Sequence, residues 1–243
     1  MGDLETYFNN NNKRLIAKWS NFFDVYEAHF SRFRGKKVCL LEIGVYQGGS
    51  LQMWKEYFGS DAEIHGLDIN PASVMLEEPQ IKIHIGSQSN SDVLRKLEGE
   101  IGPIDILIDD GGHMMSQQKI TFDVMWPLLA DGGVYLCEDL HTSYWKDFGG
   151  GYRKSNTFIE KAKTWVDEIN AWHSKEAKYN VTDLTRSIAS VHFYTSMVVL
   201  EKKLHKAPTS LKKGDIKDVP KPDMSLMEQD SSTNGLFSKI FSR

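Results

Sequence analysis

Short apolar runs alternate with helix-period segments through the middle of this 243-residue chain. The runs are too short for globular helices, and Gly, Pro or charged residues bound them, which predicts buried strands. Five strands are predicted in this way, at 36–45, 62–70, 81–87, 104–110 and 132–140. Because helical segments separate most of them, the pattern predicts βαβ units and a parallel sheet covered by helices on both faces.

Helical periodicity fills most of the remaining chain. The predicted helices cover 13–34, 48–59, 91–99, 116–129 and a stretch near 156–174. In the first of these, the apolar residues from Leu15 to Phe33 fall at intervals of one, three or four and form one stripe. The stripe predicts an N-terminal helical segment, residues 1–35, whose apolar face packs on the core or on another subunit.

The main domain is predicted to span 36–205 and to end in 189–203, which reads as two strands or as one long bent strand. From Lys206 onward Lys, Asp, Ser and Pro dominate without periodicity, which predicts a disordered tail over 206–243.

Composition narrows the class of protein. The chain is 40% hydrophobic and 26% charged, as ordinary globular proteins are. No apolar run approaches the ~20 residues of a membrane span, and the N-terminus lacks the apolar core of a signal peptide. Cys39 and Cys137 lie within predicted strands, which favours reduced thiols. Reduced thiols fit a cytoplasmic enzyme. The net charge of −4 gives no support for nucleic-acid binding.

Polar residues follow the carboxyl end of each predicted strand, the edge at which open α/β sheets bind ligands. The turn after the first strand is rich in glycine, which lets the backbone approach a ligand closely. It is not a dinucleotide G-x-G-x-x-G motif, because Tyr46 stands where the second glycine would fall. Glu42, just before the turn, would repel a pyrophosphate and suits an amino group.

Asp68 ends the second strand, near the spacing of ~20 residues at which an acid binds ribose hydroxyls. An adenosine with a charged amino-acid tail satisfies both acids, which predicts S-adenosylmethionine rather than NAD. Further tip residues are candidate contacts to this cofactor, although Asp109 could instead cap the next helix. The candidate cofactor-binding residues are Glu42, Gly44, Tyr46, Gly48, Ser50, Asp68, Ser87, Gln88 and Asp109.

Six motifs, LEIGVYQGGSLQMW, GLDIN, GSQSN, LIDDGGHM, EDLHTSYW and SVHFYTSMVVLEK, together resemble the class I methyltransferases that methylate sugar hydroxyls of macrolide antibiotics, of the mycinamicin and tylosin type. The resemblance covers roughly residues 15–203. It implies a Rossmann-like, seven-stranded, mostly parallel sheet whose last strand is antiparallel, closed by a hairpin from 189–203. It also implies self-association and a magnesium-dependent mechanism, with metal ligands at Asp110, Glu138 and Asp139 and a histidine base at His113.

The chemistry of hydroxyl methylation favours the same residues. A free histidine has a pKa of ~6.5 and an aliphatic hydroxyl resembles water at ~15.7, a gap of about nine pKa units or ~12 kcal/mol. A bound divalent cation narrows this gap by stabilising negative charge on oxygen. Oxygen ligands select a hard ion, magnesium ahead of manganese or calcium. Adjacent strand tips can bring Asp110 beside Glu138 and Asp139, and His113 lies on the turn after Asp110.

Each feature also has a simpler explanation. The Asp109-Asp110 pair fits a polar turn, and His113 fits a helix start. Glu138 and Asp139 fit acids stabilised by a helix dipole. Glu42 fits a turn cap, Asp68 fits an Asx-type turn, and a polar loop start explains Ser87 and Gln88 nearly as well.

The segment after the fifth strand offers candidate acceptor contacts. His141 is a second possible base or ligand, ranked below His113 on the family pattern. Tyr144 and Trp145, with the following FGGGYRKS, are candidates for a lid that stacks on a sugar ring.

The sequence thus predicts a magnesium- and S-adenosylmethionine-dependent O-methyltransferase acting on a hydroxyl of a deoxysugar on a natural product or glycan. The expected partner is this small-molecule or glycan acceptor, without nucleic acid or a membrane span, in a possible homo-oligomer. Three alternatives stay open: a catechol- or flavonoid-type O-methyltransferase, a metal-assisted hydrolase or hydroxylase, and a non-enzymatic module that keeps the cofactor pocket.

Overall fold

The computed structural model describes residues 2–215, and its centre is one seven-stranded sheet. The strands are β1 (Cys39–Ile43), β2 (Glu63–Asp68), β3 (Ile81–Ile85), β4 (Ile104–Asp109), β5 (Leu129–Cys137), β6 (Ile188–Tyr194) and β7 (Met197–Lys202). Their order is β3-β2-β1-β4-β5-β7-β6. Strands β1 to β5 pair in parallel, and β7 runs antiparallel to both β5 and β6. The predicted sheet, its antiparallel last strand and the closing hairpin are confirmed.

Within the described part of the chain, seven α-helices surround this sheet. They are α1 (Asp3–Asn9), α2 (Phe22–Phe30), α3 (Gly49–Phe58), α4 (Ser91–Ile101), α5 (Met115–Met125), α6 (Phe158–Asn170) and α7 (Asp183–Ser187). Short 3₁₀ turns occupy Ser31–Phe33, Pro71–Leu76, Leu140–Tyr144, Lys146–Phe148 and Ala171–His173. The sequence pattern did not predict α1 or α7, which have seven and five residues and are too short for a recognisable apolar period.

Both faces of the sheet are buried, because successive side chains of a strand point to opposite faces. In β1, Leu40 packs in the cluster with α2 and α3, whereas Leu41 and Ile43 pack in the cluster with α4, α5 and α6. The thiols of Cys39 and Cys137 are free and lie on strands, as predicted. This alternation also decides which way each polar residue at a strand tip points.

The predicted helix over 13–34 is wrong in its first half. Residues 10–21 are not helical, and α2 begins only at Phe22. The backbone of Arg14 and Leu15 instead lies against Gly49, where a Cβ atom would be 2.3 Å from the Leu15 carbonyl oxygen. Leu15 and Trp19, which the helix would have placed in its apolar stripe, are 57% and 55% exposed. We call residues 13–19 the N-terminal strap.

The chain divides near the end of the sheet. Residues up to Ala207 form one compact unit, and a second begins at Pro208. Of the predicted tail, residues 216–243 lie outside the described residues. Within 2–215, none of the helices combines the length and apolar character that crossing a bilayer requires.

We predict that His65 makes stability depend on pH. Its Nδ1 lies 3.0 Å from Nε2 of His84, and burial, reinforced by His84, lowers the pKa of His65 to about 4. Below pH ~6.5, the ordinary pKa of histidine, His65 is protonated in the unfolded chain but stays neutral in the folded protein. The free energy of unfolding therefore decreases by about 2 to 3 kcal/mol as the pH falls towards 4.

Denaturant unfolding at pH 7.5 and at pH 4 measures this loss. His65→Gln does not titrate and should lose about 2 to 3 kcal/mol less than the wild-type chain. His173→Gln, at an exposed position, is the control and should follow the wild-type chain. Equal losses in His65→Gln and wild type would contradict the prediction.

Candidate functional site

A cavity of about 480 Å³ opens beyond the carboxyl ends of β1, β2, β3 and β4. Residues predicted to bind the cofactor line it together with residues predicted to act on the acceptor. The first group contributes Gly44, Tyr46, Ser50, Asp68, Ser87 and Gln88, and the second Asp110, His113 and Asp139. Leu15, Ile16, Ala17 and Lys18 of the strap also line this cavity. The strand tips therefore form one pocket, and the strap is part of its wall.

The glycine-rich turn after β1 is held by Asp68. One carboxylate oxygen of Asp68 accepts hydrogen bonds from the backbone N–H groups of Val45 at 2.9 Å and Tyr46 at 3.3 Å. The other accepts from the N–H of Asn70 at 2.8 Å, as in an Asx turn. Gly44 has φ +94°, and a Cβ atom there would lie 2.0 Å from the carbonyl oxygen of Asp110. Only glycine lets the tips of β1 and β4 approach this closely.

Three predicted cofactor residues lie outside the cavity lining: Glu42, Gly48 and Asp109. Glu42 points toward α3, where it accepts hydrogen bonds from Ser50 Oγ at 2.8 Å and from Trp54 Nε1 at 3.0 Å. Gly48 is the left-handed residue before α3, with φ +72°. Glu42 and Gly48 therefore support the conformation of the glycine-rich turn without lining the cavity.

Asp109 points to the opposite face of the sheet from Glu42. Its carboxylate accepts a hydrogen bond from Gln88 Nε2 at 2.9 Å and lies 3.4 Å from the hydroxyl of Tyr135. Burial raises the pKa of Asp109 to about 6, although the Gln88 hydrogen bond opposes this rise. Gln88 also accepts from the N–H of Gly112 at 2.7 Å. Asp109 and Gln88 thereby fix the turn that carries the next acid and the histidine.

The carboxylates of Asp110 and Glu138 converge on the ammonium group of Lys18. Lys18 Nζ lies 2.6 Å from Asp110 Oδ2, 3.0 Å from Glu138 Oε2 and 3.2 Å from Glu42 Oε1. The Lys18 side chain is only 2% exposed. Burial disfavours its charge, but the carboxylates, first Asp110 and then Glu138, hold the pKa of Lys18 well above its usual value.

Glu138 is the most deeply enclosed of the predicted metal ligands. It is 1% exposed, and its second carboxylate oxygen accepts a hydrogen bond from the hydroxyl of Tyr26 at 2.6 Å. Burial, followed by the charge of Asp110, raises the pKa of Glu138 well above its usual range. A second cavity, of about 330 Å³, is lined by Asp110, Glu138 and Asp139 together with Lys18 and Trp19.

Asp139 lies between two histidines. Its carboxylate oxygens are 3.5 Å from His113 Nε2 and 3.7 Å from His141 Nδ1, and one accepts a hydrogen bond from Trp19 Nε1 at 3.0 Å. One ligand atom each of Asp110, His113 and Asp139 can be chosen so that all lie within 4.8 Å of one another. His113 Nδ1 is buried and has no hydrogen-bond partner among the described residues. Asp139 and His113 both adopt positive φ, +55° and +54°, which turns their side chains toward this point.

Aromatic rings surround His141. Its ring centroid lies 4.6 Å from that of Trp145 and 5.6 Å from that of Trp19. Its Nδ1 lies 2.6 Å from Ser196 Oγ, so this nitrogen is already engaged with the β6–β7 turn. Trp145 is 51% exposed and Tyr144 is 46% exposed. The segment that follows them is held down by the hydrogen bond from Gly150 N–H to the Trp145 carbonyl at 2.8 Å.

Three side chains at the site were missed by sequence reasoning: Lys18, Trp19 and Tyr26. All were assigned to the apolar stripe or its helix. Lys18 carried no clear signal, because on the 13–34 helix it would have fallen beside the edge of the apolar stripe, next to Leu15 and Phe22. A lysine at that position is ordinary, since its stem covers apolar surface while its ammonium reaches water.

Residues 41–140 match the family model described as a methyltransferase domain. The chain is 37% identical to 8-demethyl-8-alpha-L-rhamnosyl tetracenomycin-C 2'-O-methyltransferase of Streptomyces olivaceus, over 76% of this chain and 52% of that protein. It is 34% identical to demethylmacrocin O-methyltransferase of Streptomyces fradiae, over 77% and 51%. It is 33% identical to mycinamicin VI 2''-O-methyltransferase of Micromonospora griseorubida, over 73% and 47%.

A solved structure is similar at the level of the fold and the sequence. The MycE methyltransferase of the mycinamycin pathway, in complex with Mg, SAH and mycinamycin VI, superposes with a TM-score of 0.74 at 29% identity. The match covers 94% of this chain and 58% of that one. The chain contains a class I methyltransferase domain related to those of the sugar O-methyltransferases. It spans about half the length of the curated relatives it matches.

The resemblance inferred from the motifs is therefore confirmed. The matched region 41–140 of this methyltransferase domain begins within β1 and ends after β5, so it contains Glu42, the glycine-rich turn, Asp110, His113 and the second acidic pair. The strap and β6–β7 lie outside it.

We predict that Gly44→Ala severely disturbs the methyltransferase domain. The added Cβ atom would overlap a backbone atom, the carbonyl oxygen of Asp110. The positive φ of residue 44 also strains any residue other than glycine. Gly102→Ala is a matched control, because Gly102 has φ +86° but open space around its Cβ position.

Thermal and denaturant unfolding compare the two variants. Gly102→Ala should lose about 1 to 3 kcal/mol from backbone strain alone, because φ +86° with ψ −162° is a conformation that essentially only glycine adopts. Gly44→Ala should lose at least about 2 kcal/mol more, since backbone overlap forces the strand tips apart. Equal losses would mean that the β1 and β4 tips separate freely.

Proposed function

We propose that the chain is an S-adenosylmethionine- and magnesium-dependent O-methyltransferase that acts on a hydroxyl of a deoxysugar attached to a natural product. The observation that carries the proposal is the convergence of Asp110, His113 and Asp139 at the edge of the 480 Å³ cavity. A methyl donor in the cavity and a hydroxyl at this point would face one another. The relatives are named as O-methyltransferases, one of them for a rhamnosyl compound, and they support the choice of reaction and acceptor.

The cavity fits an adenosine bearing an amino-acid tail. Its lining combines the glycine-rich turn after β1 with Asp68, Ser87 and Gln88 from the next two strand tips. S-adenosylmethionine, when bound, supplies an electrophilic methyl group on a sulfonium. The role of the protein is to hold the acceptor oxygen in line with that methyl group and to exclude water. We assign cofactor binding to the six predicted residues that line the cavity and not to Glu42, Gly48 or Asp109.

The acidic side chains fit a hard divalent cation. Asp110, Glu138 and Asp139 offer carboxylate oxygens, the ligands magnesium prefers, and the second cavity joins all three. A bound magnesium ion would stabilise negative charge on the acceptor oxygen. In the structure, the ammonium group of Lys18 forms ion pairs with two of these carboxylates, Asp110 and Glu138. The protein itself therefore supplies one positive charge to the acidic cluster.

His113 is the group we assign to remove the acceptor proton. Its imidazole is partly exposed and lies on the same turn as Asp110, and Asp139 lies 3.5 Å from Nε2. A carboxylate at that distance stabilises the imidazolium that forms when the proton is taken. His141 is a weaker choice, because its Nδ1 is engaged by Ser196 and aromatic rings flank it.

The exposed aromatic rings fit the acceptor. The rings of Trp19 and Trp145 pack on His141, and Tyr144 lies in the same 3₁₀ turn as His141. All three aromatic residues keep about half of their surface exposed. Flat apolar rings beside carboxylates suit a sugar, which has apolar C–H faces and polar edges. The cytoplasmic location, the absence of nucleic acid and self-association remain predictions.

His113→Ala is expected to lower methyl transfer at least ~100-fold, the usual contribution of a general base. The affinity for S-adenosylhomocysteine should change less than about threefold. Methyl transfer to rhamnosyl and deoxysugar glycosides, with and without chelator, measures the first quantity, and titration calorimetry measures the second. His141→Ala is the comparison and should keep most of the activity. Full activity in His113→Ala would refute the base assignment.

Trp145→Ala is expected to weaken acceptor binding about tenfold, because a stacking ring is lost, while kcat and cofactor affinity change little. Steady-state kinetics with the best glycoside of the screen gives the split between KM and kcat. Phe193→Ala is the control, since Phe193 is also an exposed aromatic residue, at 43%, but lies on strand β6 outside the proposed acceptor surface. An unchanged KM in Trp145→Ala would argue against the aromatic acceptor surface.

A further inference from the structure

Two consecutive strap residues contact all three carboxylates of the proposed cation site. Lys18 Nζ is 2.6 Å from Asp110 and 3.0 Å from Glu138, and Trp19 Nε1 donates to Asp139 at 3.0 Å. The Lys18 side chain is almost completely buried. No other lysine or arginine among residues 2–215 forms an ion pair with these carboxylates.

Lys18 already supplies a positive charge to this cluster. Its ammonium lies within hydrogen-bonding distance of Glu42, Asp110 and Glu138, so it offsets the repulsion among three buried acids. The oxygens it contacts on Asp110 and Glu138 are oxygens that a cation would need. A divalent ion on the same oxygens would lie a few ångströms from the ammonium, where two positive charges repel strongly because little water screens them.

We propose that Lys18 is an internal cation that competes with the divalent ion, so that ion binding moves its ammonium away from Asp110 and Glu138. The inference rests on the proposed function, because it requires these carboxylates to bind a metal. It adds a residue that sets the affinity for the ion. Removing the charge of Lys18 strengthens ion binding, whereas removal of an ordinary supporting residue would weaken it.

The residues on either side of Lys18 limit how much of the strap can move when its ammonium group is displaced. Arg14 is fixed by a hydrogen bond to the Leu76 carbonyl at 2.8 Å and by an ion pair with Glu78 at 3.3 Å, and Ile16 is buried in the core. The strap is thus anchored before Lys18, and α2 anchors it from Phe22 onward. Lys18 lines the cofactor cavity as well as the second cavity. Ion binding therefore alters one wall of the cofactor cavity without releasing the N-terminus.

Ion affinity tests the competition directly. The full chain, freed of metal by chelator and dialysis, is titrated with Mn²⁺ while electron paramagnetic resonance reports the free ion. Lys18→Met keeps the length of the side chain and removes the charge, and it should bind Mn²⁺ at least tenfold more tightly than wild type. Lys13→Met is the matched control on the same strap, since Lys13 is exposed and lies over Tyr7, and its affinity should stay within twofold.

The stability of the variants gives a second readout. Without metal, Lys18→Met should melt below the wild-type chain, because Glu42 and Glu138 lose their counterion. Saturating Mn²⁺ should raise its melting temperature more than that of wild type. Equal or weaker Mn²⁺ binding by Lys18→Met would overturn the proposal and make Lys18 a supporting group.

Lysine acetylation of the wild-type chain avoids any dependence on the variant. Mass spectrometry should find Lys18 protected from an amine acetylating reagent without metal and acetylated several-fold faster with saturating Mg²⁺, while Lys13 is unchanged. If Mn²⁺ binds and Lys18 stays protected, the inference fails and the proposed function stands. If neither wild type nor Lys18→Met binds Mn²⁺, the metal site of the proposed function fails together with the inference.

Discussion

Carboxylates from the ends of β1, β4 and β5 meet at the ammonium group of Lys18, and the arrangement of the whole site depends on how their charge is balanced. Glu42 and Glu138 are almost inaccessible to solvent, and Asp110 lies directly beside them. Several ionised acids this close in a buried setting repel one another and lose hydration, so each needs a cation or a proton. Burial accordingly raises the pKa of both Glu42 and Glu138. The non-helical strap carries Lys18 to this point, where its ammonium contacts all three acids.

The alternation of side chains along the strands selects the acids that take part. Leu40 and Glu42 point to the same face of β1, and Asp110 continues the face of Ile108 at the end of β4. Glu138 reaches that face one residue after Cys137. Asp109 falls on the opposite face and binds Gln88. A shift of one residue in β4 would exchange the roles of the neighbouring Asp109 and Asp110.

Much of this arrangement was predictable from the sequence, because it follows from short-range patterns. The strands carry dense apolar runs, and parallel strands place their carboxyl ends at one edge, so Asp68, Asp110 and Asp139 were expected at a common pocket and line it. The assignment of Glu42 to the pocket neglected the alternation of side chains. Since Gly44 opens the turn, Glu42 is still within the strand and points at α3.

Long-range contacts explain what the sequence pattern did not reveal. The stripe from Leu15 to Phe33 has the spacing of a helix, yet residues 10–21 are not helical. The interactions that hold it there involve Gly49, Asp110 and Glu138, far along the chain. Hydrophobic periodicity reports only neighbours three or four residues apart and cannot register such contacts. Lys18 gave no local warning either, because on a helix it would have lain beside the stripe, where lysines are common.

The strap contacts three parts of the proposed active site: the cofactor cavity, the acidic cluster and the aromatic surface. Leu15 to Lys18 line the cofactor cavity, Lys18 balances the acids, and Trp19 donates to Asp139 while its ring packs on His141 beside Trp145. A change in the charge at the acids therefore acts on the wall of the cofactor cavity and on the aromatic surface through neighbouring residues of one short segment. Because α2 and Arg14 fix both ends of that segment, the coupling requires only local movement between them.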